Sequence, residues 1–122
     1  MPARAGQLRV RRHHMAASEF TKAERRELRE LAGDVYEAEA HGYLEELDEE
    51  FSRWRKGEIL SSELLTSIHH FHQHENRDLW KMYQGLSDDF IVARGVRLGL
   101  LPESKVSPKL LEKLRLAGGD AV

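Results

Sequence analysis

Four of the seven histidines crowd into one short run, His69-His70-Phe71-His72-Gln73-His74, and Glu75 follows directly. Imidazole titrates near neutrality and is the commonest protein metal ligand. His69 and His72 stand three apart, so on a helix both rings can address one point. With the carboxylates of Glu46, Glu50 and Glu75 they make a candidate site for zinc, iron or manganese. The motif order argues against it. His72-x-x-Glu75 reverses the Glu-x-x-His of helical di-metal sites, and no His-Glu-x-x-His occurs. The preferred reading of His72 is a neutral imidazole bonded to a glutamate in a helix seam, where the pair sets register. His70 and His74 stand four apart on the opposite, solvent side and would chelate a metal only adventitiously.

The same cluster could serve as a general acid or base, with Glu46 or Glu50 holding the His72 tautomer. The rest of an enzyme is missing from the sequence. There is no cysteine, no serine in a nucleophile elbow, no glycine-rich phosphate loop and no set of oxyanion donors. A non-catalytic protein is therefore expected, with no cofactor.

Positioning these residues falls to helices. Thr21 and Glu24 have the spacing of a capping box, and Phe20 precedes them as a hydrophobic staple. From there no proline interrupts the chain up to Gly57, which suits a left-handed helix end. The helix over about 22–56 spans roughly 50 Å. Its apolar stripe shifts face on the way. Leu28, Leu31, Val35, Ala38 and Gly42 give way to Tyr43, Leu47, Phe51 and Trp54. Such a helix serves one neighbour, the C-terminal segment, with its first half and another, residues 61–85, with its second. After a short turn Ser61 or Ser62 is expected to cap a helix to Gly85. Its broad face carries Leu64, Leu65, Ile68, Phe71, His72, Glu75, Leu79, Met82 and Tyr83. So short a connection requires an antiparallel hairpin, with residue 50 opposite 68. Ser87 caps a third helix from about 88 to 98, stopped by Gly99. Ser107-Pro108 opens a fourth, running to 117 before Gly118-Gly119. No alternating β-branched run and no repeat occurs. The fold class is all-α: a long antiparallel helical hairpin (22–56 and 61–85) with two short C-terminal helices, completed as a bundle by dimerisation. Residues 18–119 make one helical domain.

Composition bounds the partners. The 122 residues carry a net charge of −2, so no global field favours nucleic acid or an acidic membrane. The distribution is uneven. Residues 1–17 hold Arg4, Arg9, Arg11 and Arg12 and no acid, whereas residues 34–50 hold eight acids and no Lys or Arg. The first stretch reads as a disordered basic arm or an upstream extension. Arg9, Arg11 and Arg12 could meet phosphates there, but without aromatic residues for stacking nucleic acid is not favoured. The acidic run is a solvated face, or a dock for a basic partner such as the protein's own arm. No run reaches the roughly 18 apolar residues of a membrane helix, and no secretory signal is visible, so a cytoplasmic protein is expected. Trp80, with Tyr83 and Arg77, makes a candidate contact patch; Trp54 reads as core packing near the turn. The expected function is a small accessory or regulatory subunit that binds itself, as a homodimer, and a second protein. The metal-binding bundle and the nucleic-acid arm are the alternatives.

Overall fold

The computed structural model describes residues 19–118. Its elements are α1 (Lys22–Arg55), α2 (Ser61–His70), a π-helical segment (Phe71–Asn76), α3 (Arg77–Gly85), α4 (Asp88–Arg97), a 3₁₀ turn (Glu103–Lys105) and α5 (Pro108–Gly118). Among the described residues there is no strand, and the fold is all-α.

The helix ends follow from local chemistry. At the start of α1, the Thr21 N–H donates to Glu24 Oε1 at 2.8 Å and the Glu24 N–H donates to Thr21 Oγ1 at 3.1 Å, a complete capping box. At its end Gly57 takes φ +78°. The Glu58 N–H reaches the Arg53 carbonyl and the Gly57 N–H the Trp54 carbonyl, the Schellman pattern that a left-handed glycine allows. Gly99, also at φ +78°, ends α4 the same way, with Leu100 N–H on the Gly95 carbonyl. Two boundaries differ from expectation. Leu60, not Ser61 or Ser62, is the N-cap of α2, and the Glu63 carboxylate reaches back to the Leu60 N–H at 3.0 Å. The helix expected over 61–85 is interrupted by six π-helical residues.

The chain divides into two compact units, one built from residues up to Ala38 with those from Gly85 onward, the other from Glu39–Gln84. In the first, Leu28, Leu31 and Val35 of α1 are buried with Ile91 and Val92 of α4, Leu101, Val106, and Leu110 and Leu114 of α5. Gly95 lets α4 approach α1 closely, since a Cβ there would lie 2.5 Å from Val35 Cγ2. Polar contacts reinforce the packing. Glu27 receives the Ser107 N–H and hydroxyl, each at 2.8 Å, which ties the first turn of α5 to α1. Lys113 Nζ donates to Glu24 Oε1 at 2.6 Å and to the Glu19 carbonyl at 2.8 Å, and lies over the Phe20 ring.

In the second unit the buried apolar side chains are Ile59, Leu64 and Leu79. Trp54 donates its indole N–H to the Ser61 hydroxyl, Ser67 donates to Glu50, and Tyr83 donates to Glu39 at 2.7 Å. Trp54, expected in the core, is 40% exposed, with the polar edge of its ring on Ser61 at the turn.

Candidate functional site

A groove of about 330 Å³ opens in the second unit at the π-helical segment. Half-buried Tyr43, Leu47 and Phe71 form its apolar part. Glu46 and Glu50 from α1 and His70, Glu75 and Ser67 from the facing elements line the rest. A second hollow shares Glu50, Thr66 and Ser67 with it and extends toward Ile59.

The π-helical segment creates this arrangement. In an α-helix residues five apart stand about 140° apart around the axis and do not meet. A π turn bonds i to i+5 and brings them together. Here His70 Nδ1 lies 3.0 Å from Glu75 Oε1, and the His70 and His74 rings lie 4.4 Å apart between centroids, tilted by 36°. The wider turn also keeps Phe71, Glu75 and Leu79 on one line, the first two half-buried and the third buried. That line excludes His72.

His72 is exposed, as is His69 within α2, and neither lines the groove. The register-setting seam bond expected of His72 is made instead by Glu50 with Ser67 and by Glu39 with Tyr83. Of the five residues considered for a metal, Glu46, Glu50 and Glu75 come together along the groove, in company with His70. His69 and His72 do not join them. Among the described residues no three His, Asp or Glu side chains are grouped to hold a metal ion.

Glu50 is engaged by Arg53 at 3.1 Å as well as by Ser67. Glu46 is exposed and pairs with no other side chain among the described residues. Of the expected contact patch, Trp80 is 57% exposed, Arg77 is exposed, and Tyr83 is half-buried with its hydroxyl on Glu39. Arg9, Arg11 and Arg12 lie outside the described residues. Among the described residues no helix is long and apolar enough to cross a membrane. The π-helical segment had no sequence signal. A His–Glu pair at i, i+5 is one only after the fact, since it means nothing on an α-helix.

No protein-family model matches the chain, and no curated protein or solved structure matches it.

Proposed function

We propose that this chain is a non-catalytic protein-binding module that self-associates through its Glu39–Gln84 unit, with Leu65 and Trp80 against the second copy. The observation that carries this reading is surplus apolar surface on a unit with little core. Leu65 is 65% exposed, Trp80 57% and Leu44 54%, while the buried apolar side chains of the unit are Ile59, Leu64 and Leu79.

A hairpin arrangement explains where that surface lies. The pairings Trp54–Ser61, Glu50–Ser67 and Glu39–Tyr83 step outward from the turn, as antiparallel helices would. Leu65 follows buried Leu64, and Trp80 follows buried Leu79. Each is one step, about 100°, to the same side of the buried line. Ser67 and His70, one step to the other side of Ile68 and Phe71, line the polar groove. One flank of the hairpin thus carries the groove, and the other carries Leu65 and Trp80 near its two ends, with exposed His69, His72 and Asn76 between them. Two helices alone bury one stripe each, and a second copy laid on the Leu65–Trp80 flank would complete a four-helix bundle.

Sedimentation equilibrium of the full chain tests this. A dimer is expected, together with a shift to monomer for Leu65→Glu and Trp80→Glu at unchanged helical circular dichroism. A wild-type chain that stays monomeric at all accessible concentrations, with both variants indistinguishable from it, would overturn the self-association.

A further inference from the structure

We propose that the groove at the π-helical segment is the docking site for a short extended peptide of a partner protein. Its anchor is an arginine whose guanidinium sits among Tyr43, Phe71, Glu46 and Glu75. The site lies wholly within the Glu39–Gln84 unit. It goes beyond the self-association above, which uses the opposite flank.

Shape sets the class of ligand. The groove and the second hollow share Glu50, Thr66 and Ser67, so the two join into one trough. Along α1 the trough runs from Tyr43 to Arg53, a rise of about 15 Å. That accommodates roughly four residues of extended chain at about 3.3 Å each. The Thr66 hydroxyl donates to the Ser62 carbonyl and the Ser67 hydroxyl to Glu50. Both oxygens keep lone pairs that can accept from a peptide N–H.

Charge and ring surface select the anchor. At one end of the trough half-buried Tyr43 and Phe71 lie with the carboxylates of Glu46 and Glu75. A guanidinium suits both at once, since its planar face stacks on aromatic rings while its N–H fork pairs with carboxylates. Glu46 is exposed and pairs with no other side chain among the described residues. The other end already holds a guanidinium. Arg53 lies 3.1 Å from Glu50 and 3.6 Å from Glu58. A cationic anchor is therefore drawn to the Tyr43 end, which gives the bound peptide a direction. Residues 34–50 carry eight acids and no Lys or Arg, and opposite charge on a partner raises the encounter rate. π-Helical turns recur at functional sites, and this one carries Phe71 and Glu75 to the groove.

The probe is the terminally blocked peptide Ala-Ala-Arg-Ala-Ala, titrated into the isotope-enriched full chain and followed by amide chemical shifts. Saturable shifts are expected at Glu46, Ser67, Phe71 and Glu75. Citrulline in place of the arginine, which keeps the shape and loses the charge, should abolish them. Glu46→Gln should weaken binding roughly five- to tenfold, the difference between a charge-assisted and a neutral hydrogen bond, at unchanged helical circular dichroism. Trp80→Glu, on the opposite flank, should leave binding unaltered, so the groove is tested apart from the self-association. No shifts at millimolar peptide, equal binding of the citrulline peptide, or full affinity in Glu46→Gln would overturn the proposal. So would spermidine moving the same amides at equal or lower concentration, which would make the groove a site for a small polyamine.

Discussion

Glu24 shows how one side chain serves two purposes. It closes the capping box of α1 with Thr21 and receives Lys113 from α5. The Lys113 bond first, and the Thr21 N–H second, hold its carboxyl below the ordinary 4.5, against an opposing effect of burial. A carboxyl depressed in the folded state contributes stability above its unfolded value and loses it as pH falls through the folded one. Asp88 runs the other way. Burial raises it, Asp89 adds to the rise, and Arg29 opposes it, so acidification relieves a cost at Asp88. Thermal unfolding followed from pH 7 to 3 should therefore show the melting temperature falling below about pH 4.5. The fall should be shallower in Glu24→Gln and steeper in Asp88→Asn. Equal slopes in all three would remove both assignments. Thr21 and Glu24 announce the cap in the sequence by their spacing. Nothing there announces Lys113 or the Glu27–Ser107 clasp, because their partners are distant along the chain.

Among elements, the contact of α4 with α1 is the most sharply testable. A methyl group at Gly95 would collide with both γ-carbons of Val35, a side chain with no exposed surface. Gly95→Ala should destabilise by about 1–3 kcal/mol, the usual cost of overpacking. Gly33→Ala is the control. It lies in the same α1 helix with nothing near its missing Cβ, so it should stabilise by roughly 0.5–1 kcal/mol. Urea denaturation of both variants measures the pair, and a Gly95→Ala chain as stable as the wild type would refute the close approach. The π-helical segment is the other lesson at this scale. A pattern read with 3.6 residues per turn puts His72 on the inner face. The wider turn leaves it exposed, keeps Glu75 at the groove and adds His70, which the same reading puts on the solvent side.

For the whole molecule the controlling fact is the unequal division of core. Leu110, Leu114, Val35 and Val92 have essentially no exposed surface, and all belong to the unit formed by the two ends of the chain. The unit Glu39–Gln84 has no side chain so fully buried among the described residues. Amide exchange should therefore be slowest around Val35, Val92 and Leu110 and faster through Ser67–Met82, since opening energy follows local burial. Protection of Ser67–Met82 should rise with protein concentration if a second copy covers Leu65 and Trp80. Hydrogen exchange at two concentrations reads this directly. Equal and concentration-independent protection in both units would contradict it.

The sequence by itself determined the helical class, the long α1, its change of apolar face and most helix ends. These depend on neighbours within a turn or two: Thr21 with Glu24, Gly57 and Gly99 at left-handed positions, and Pro108 at the start of α5. The tertiary structure alone decided which histidine reaches the groove, that Gly95 is a contact rather than a spacer, and that Trp54 is bonded at the turn instead of packed. Each of these turns on a departure from ideal helix geometry or on a partner far along the chain. A periodic reading assumes the first away and has no access to the second.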